Sequence, residues 1–110
     1  MMNINSKERV YFYSRVSTLA QEKLGIIGAI EFTEKLKNAL SVDPQEHLDV
    51  AMVGVMQAKG IPTKVSYSCK NFSFSDKAEL KQIVQKCMDA GGVASVQQRY
   101  IMEGVNEILG

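Results

Sequence analysis

The sequence contains few of the residues that build metal, redox or disulfide sites. Among 110 residues there are two cysteines, one histidine and no tryptophan. Cys69 and Cys87 lie far apart and form no CxxC pair, and His47 is the single histidine, so the ligands of a zinc site are missing. We therefore expect two reduced thiols, no bound metal and no cofactor.

The chain also lacks a strong net charge and a long apolar run. Thirteen basic and 12 acidic residues leave a formal net charge of +1, whereas a protein that grips nucleic acid by itself usually shows a basic surface. No apolar run approaches the ~18 residues of a membrane span, and the polar start, MMNINSKER, is unlike a signal peptide. The composition predicts one soluble, cytoplasmic domain over 1–110, without membrane contact.

The stretch from Val10 to Gln21 changes character in the middle. Its first part, VYFYSRV, is aromatic or β-branched, which is typical of a buried strand, and from Leu19 onward helix formers dominate. Thr18 and Gln21 fit a capping box. The pattern predicts a strand, a sharp turn and a helix, with Ser17 on the turn beside the positive end of a helix dipole.

Ser17 has two interpretations in this setting. It suits a nucleophile that meets a phosphate, and it also suits an ordinary helix cap, with Arg15 in a surface ion pair and Gln21 closing the capping box. If residues 6–40 instead formed one long helix, a nucleophilic role for Ser17 would lose its basis.

Further along the chain, turn residues and hydrophobic periodicity define short elements. Asp43-Pro44 begins a helix that Gly60 ends, the alternation in TKVSYSC indicates a strand, and Asp76 begins another helix. The sequence predicts an α/β fold with a small, mainly parallel sheet. The predicted strands are 9–17 and 63–69, with 93–97 as either a third strand or the first turn of the last helix, and the predicted helices are 19–40, 44–59, 77–89 and 98–109.

The helix predicted at 19–40 has a wide apolar stripe. Gly25 and Gly28 interrupt it and indicate a bend or a close backbone approach. A wide stripe on a small chain predicts burial on more than one side and is consistent with a homodimer or a protein partner. The stripe consists of Leu24, Ile27, Ile30, Leu36 and Leu40, widened by Ile26, Ala29 and Phe32.

A resemblance to a known family appears in the residues Tyr13-Ser14-Arg15-Val16-Ser17-Thr18, followed after two free positions by Gln21. They resemble the catalytic signature of the serine recombinases, the resolvase and invertase family, in which an apolar residue stands at the position of Ser14. The resemblance implies that Ser17 attacks a DNA phosphate and forms a phosphoserine link. It also implies that Arg15 binds this phosphate and that Gln21 orients the site, with Tyr13 and Arg99 as further binding residues.

One part of the family pattern is missing. Serine recombinases carry an Asp-Arg-x-x-Arg motif whose arginines hold the scissile phosphate, whereas the arginines of this chain are Arg9, Arg15 and Arg99, none of them after an aspartate. Because phosphoryl transfer depends on charge stabilisation, the resemblance implies a degenerate recombinase-like domain acting with DNA or a recombinase partner. The alternative is a non-enzymatic interaction module, such as a phage or plasmid accessory protein or an immunity-like protein, that binds a partner through apolar helix faces.

Overall fold

A computed structural model of the protein describes residues 4, 6–42 and 74–110. Within these ranges the chain forms three helices: α1 at Ser6–Ala39, α2 at Lys77–Ala90 and α3 at Ser95–Leu109. No strand occurs in the described ranges. The predicted α/β class is therefore wrong for this part of the chain, which forms a helical bundle.

The structure changes one predicted strand, at 9–17, and decides between the two alternatives predicted for 93–97. The strand predicted at 9–17 lies inside α1. Of the two alternatives for 93–97, the structure shows the helical one, because residues 95–97 form the first turn of α3. The helix predicted at 19–40 belongs to α1, and those predicted at 77–89 and 98–109 are confirmed as α2 and α3. The strand at 63–69 and the helix at 44–59 lie outside the described residues.

Burial explains why an aromatic and β-branched run is helical. Val10, Tyr11, Phe12, Tyr13 and Val16 are all buried. Residues of this kind disfavour a helix by only about 0.5 kcal/mol each, whereas burying a large apolar side chain contributes about 1.5–3 kcal/mol. Tertiary packing therefore decides the conformation of this stretch.

The chain reverses direction inside α1. Gly25 has φ 77° and ψ 166°, a combination that is essentially restricted to glycine. Arg9 Nη1 donates a hydrogen bond of 3.3 Å to the carbonyl oxygen of Leu40, although a straight helix would hold these residues ~46 Å apart. The parts before and after Gly25, which we call α1N (6–24) and α1C (26–39), thus form a helical hairpin.

The apolar pattern of α1 requires this reversal. Ala20 and Ala29 are 0% and 1% exposed, yet their spacing of about 2.5 turns would place them on opposite sides of a straight helix. Once the chain turns back at Gly25, α1N and α1C bury both alanines. Of the two alternatives predicted for Gly25 and Gly28, a bend or a close backbone approach, the structure shows a bend at Gly25.

The end of α1 is closed by a Schellman motif. The Val42 N–H donates to the Lys37 carbonyl at 3.1 Å, and the Ser41 N–H donates to the Asn38 carbonyl at 3.2 Å. Ser41 has φ 51°, in the left-handed region that this motif requires. A serine therefore occupies a position where glycine is the usual residue.

The end of α2 has the same motif with glycine in that position. The Val93 N–H donates to the Met88 carbonyl at 3.1 Å, the Gly92 N–H donates to the Asp89 carbonyl at 3.4 Å, and Gly92 has φ 69°. The turn that follows leads directly into α3.

Polar contacts link α2 and α3, which form a second hairpin, at both of its ends. Gln85 Nε2 donates to Gln98 Oε1 at 2.8 Å, and Gln98 Nε2 donates to the Val93 carbonyl at 2.9 Å. At the other end, Lys77 Nζ lies 3.4 Å from the carbonyl oxygen of Gly110. Just before Lys77, Asp76 accepts a hydrogen bond of 3.0 Å from the Glu79 N–H, which confirms it as the helix cap.

Two contacts join α1N to the residues before α2. The buried Glu8 accepts hydrogen bonds from the Ser75 N–H at 3.0 Å and the Ser75 hydroxyl at 2.9 Å. Phe74 packs on Tyr11 and Phe12, with ring centroids 6.0 and 5.9 Å apart. The shared core includes Phe12, Val16, Phe32, Leu36, Leu40, Leu80, Val84, Met88, Ile101 and Val105.

Candidate functional site

Ser17 lies in the interior of α1N rather than on a turn. The residues on both sides of it are helical, and its side chain is 8% exposed. Its hydroxyl makes no hydrogen bond within the described part of the chain. The helix N-terminus that was predicted to face a phosphate beside Ser17 is therefore not formed, and Ser17 is not a helix cap.

The predicted capping box at Thr18 and Gln21 is also wrong. Thr18 Oγ1 donates to the Ser14 carbonyl at 3.0 Å, which is a bond made within a helix by a residue one turn further along. Gln21 is exposed on α1N. Neither side chain serves a helix N-terminus, because α1 begins far upstream of both.

Arg15 is held by a neighbouring tyrosine. Arg15 Nη1 donates to the Tyr11 hydroxyl at 3.2 Å, and its guanidinium carbon lies 6.0 Å from the Tyr11 ring centroid. Arg15 is exposed whereas Ser17 is buried, because residues two apart in a helix point in nearly opposite directions. The two groups therefore do not converge on one phosphate.

The two remaining predicted site residues lie elsewhere. Tyr13 is buried in the core. Arg99 is on α3, with Nε 3.6 Å from Glu103 Oε1, and both side chains are largely exposed. The structure therefore does not gather the predicted catalytic and binding residues into one site.

A groove between α1N and α3 contains part of the motif. Its volume is about 500 Å³, and neither Ser17 nor Gln21 lines it. A Cβ at Gly104 would lie 2.5 Å from Leu19 Cδ2, so this glycine lets α3 approach α1N closely. The groove is lined by Arg15, Thr18, Leu19, Glu22, Gly104, Glu107 and Ile108.

The chemistry of this groove is limited. Its ionisable groups are one guanidinium and two carboxylates, and the Thr18 hydroxyl is bonded to the backbone. Among the described residues no three histidine, cysteine, aspartate or glutamate side chains form a group suited to a metal ion. The groove thus presents no pair of nucleophile and base to a substrate.

The most unusual surface feature lies at the start of α1C. Ile26, Ile27 and Ile30 are 72%, 87% and 55% exposed, and we call them the isoleucine surface. Ile27 and the buried Leu36 are separated by about 2.5 turns, so Ile27 points away from the core. Single exposed apolar residues are ordinary, but adjacent ones of this size are unusual on a protein surface.

Two glutamates continue the same side of α1C. Glu31 and Glu34 follow Ile27 by one and two helical turns, and both are exposed. Neither carboxylate is paired with a basic side chain among the described residues. The outward side of α1C is therefore apolar at its beginning and acidic further along.

A second, smaller apolar area lies on α3. Val96 and Tyr100 are 65% and 51% exposed and are one helical turn apart. They show that α3, like α1C, carries apolar side chains on its outer side.

The sequence assigned the three isoleucines to one apolar stripe without distinguishing them from the core. The signal that distinguishes them is the position of the apolar residues around the helix. Ala20 and Ala29 cannot lie on the same side of one straight helix, and a glycine lies between them. Once the helix is broken at Gly25, the residues opposite Ala29, Phe32 and Leu36 must face outward.

None of the helices in the described ranges combines the length and the apolar content needed to cross a membrane. Comparison of the chain with family models, curated proteins and solved structures finds no match.

Proposed function

We propose that the protein is a non-enzymatic interaction module that binds a partner protein through the isoleucine surface. The observation that carries this proposal is the exposure of Ile26, Ile27 and Ile30 side by side on α1C. Exposed side chains of this size are costly in water, and a binding partner would remove them from it.

The recombinase-like hypothesis has weaker support from the geometry. A serine nucleophile needs access to its substrate, a base and charge stabilisation. Ser17 is buried within a helix, and the exposed Arg15 is on another side of that helix. The family motif can be read in the sequence, but its residues do not form the arrangement that the chemistry requires.

The isoleucine surface is too small to hold a partner protein by itself. Burying three isoleucine side chains that are now largely exposed contributes about 5 kcal/mol. Association costs roughly 4–15 kcal/mol in lost motion. The isoleucines therefore anchor a partner but do not hold it alone, and the contact must extend over neighbouring residues.

Site-specific photocrosslinking tests the proposal. A benzophenone amino acid is placed at position 27, and a matched control carries it at Gln82, an exposed residue of α2. In the cells from which the sequence comes, we expect a discrete crosslinked product from position 27 and none from position 82. Equal labelling from both positions, or no discrete product from position 27, would contradict the proposal.

A further inference from the structure

We infer that the partner of the isoleucine surface is a basic amphipathic helix of another protein. Its apolar side chains lie on Ile27 and Ile30, and its lysines or arginines lie beside Glu31 and Glu34. This inference rests on the proposed function and specifies the chemistry of the partner.

The four residues lie in one line along α1C. Ile27, Ile30, Glu31 and Glu34 follow one another at spacings of three, one and three residues and lie along the outward side of the helix. All four are exposed. A partner that follows this line meets apolar side chains first and two carboxylates next.

This line carries negative charge. Glu31 and Glu34 have the same sign, are one turn apart and lack a basic partner among the described residues. The lysines of α1C, Lys35 and Lys37, flank this line, are half-buried and form no ion pair with Glu31 or Glu34. The surface is locally acidic on a chain with a net charge of +1, so a cationic segment is its electrostatic complement.

The shape of this surface favours a helical partner. The exposed line is the ridge of a helix, and helices pack ridge into groove with apolar residues repeated every three or four positions. An amphipathic helix supplies that repeat and carries charged side chains along its edges. The isoleucines then anchor the partner, while the carboxylates select the partner and its orientation.

The test uses two labelled amphipathic peptides with the same leucine repeat. One carries lysines at its flanking positions, and the other carries glutamates there. Fluorescence anisotropy with the full chain at low salt is expected to show about fivefold tighter binding of the lysine peptide, as two exposed charge pairs provide. High salt should remove this preference, since exposed pairs are screened.

Three variants measure what the two glutamates and Ile27 contribute to peptide binding. Glu31→Lys combined with Glu34→Lys should reverse the preference, whereas Glu107→Lys, a charge reversal on α3, should leave it unchanged. Ile27→Ser should weaken the binding of both peptides by about tenfold, because one apolar side chain that the peptide buries is lost.

The outcomes separate the inference from the proposed function. If Ile27→Ser weakens binding but the wild-type protein does not distinguish the peptides, the basic partner is wrong and the interaction surface remains. If Ile27→Ser binds both peptides like the wild type, the surface itself is wrong. Failure to bind either peptide, or a dimer of the free protein that Ile27→Ser dissociates, would also overturn the inference.

Discussion

At the scale of single residues, Glu8 is the most consequential buried polar group. It is 4% exposed, and its two carboxylate oxygens accept the N–H and the hydroxyl of Ser75. A buried carboxylate is tolerated only when such bonds satisfy it. Glu8 therefore fixes where the segment leading into α2 meets α1N.

Removing this carboxylate should destabilise the fold. We expect Glu8→Ala to lower the free energy of unfolding by about 2 kcal/mol, because hydrogen bonds to a charged group are lost. Urea denaturation measures the change. Glu31→Ala, at an exposed position of α1C, is the control and should stay within about 0.5 kcal/mol of the wild type. Equal effects of the two substitutions would contradict the role of Glu8.

The Cys87 thiol gives the fold a dependence on alkaline pH. Burial raises its pKa, and the Lys35 ammonium lowers it by a smaller amount. The thiol therefore ionises more readily in the unfolded chain than in the folded one. The contribution of the neutral, buried thiol to the free energy of unfolding is complete below the pKa that the thiol has in the unfolded chain, and it is lost as the pH rises through the higher folded pKa.

We expect this loss to appear in unfolding experiments on a Cys69→Ser background, which leaves Cys87 as the single thiol. The free energy of unfolding should fall between neutral pH and about pH 10. The fall should be smaller in the Cys69→Ser/Cys87→Ala protein, which retains every other titrating group. Identical pH dependence in the two proteins would show that Cys87 contributes nothing.

At the scale of elements, α1 and α2 end in the same motif with different residues. Ser41 and Gly92 both have positive φ and occupy the same position of the Schellman motif. Glycine adopts this conformation without the steric cost that a serine Cβ brings. The end of α1 is thus the less favourable of the two.

Exchanging these residues should change stability in opposite directions. We expect Ser41→Gly to raise the free energy of unfolding by about 0.5–1 kcal/mol and Gly92→Ser to lower it by a similar amount. Thermal denaturation of both variants measures the changes, and Ser95→Gly, at the first residue of α3, provides a control that should not stabilise. A destabilised Ser41→Gly protein would contradict the proposed strain.

At the scale of the whole molecule, the isoleucine surface and the core respond differently to truncation. Leu36 is fully buried, whereas Ile27 is 87% exposed. We expect Leu36→Ala to cost about 2–5 kcal/mol, while Ile27→Ser should change the free energy of unfolding by no more than about 0.5 kcal/mol. Chemical denaturation of the two variants checks this contrast. A large loss from Ile27→Ser would place that side chain in the core.

Local signals in the sequence predicted some elements and missed others. Asp76 and the glycines at 91 and 92 delimit α2, because caps and left-handed turns depend on neighbouring residues alone. The conformation of Val10 to Val16 depends instead on what packs around it, including Phe74 from a distant part of the chain. Local preference favoured a strand there, and tertiary burial overrode it.

The candidate site depends on tertiary packing in the same way. The motif from Tyr13 to Gln21 was interpreted on the assumption of a turn at Ser17, and a helix disperses those residues around its circumference. The wide apolar stripe did indicate burial on more than one side. Which isoleucines face outward followed only from the reversal at Gly25, which combines information from both halves of α1.

The arrangement of two hairpins has a consequence for how the chain folds. Within the second hairpin, Gln85 and Gln98 are 13 residues apart, whereas Glu8 and Ser75, which join the hairpins, are 67 apart. Closing the longer loop costs about 1.5 kcal/mol more in chain entropy. We therefore expect contacts within each hairpin to form first and the docking of one hairpin on the other to limit the folding rate.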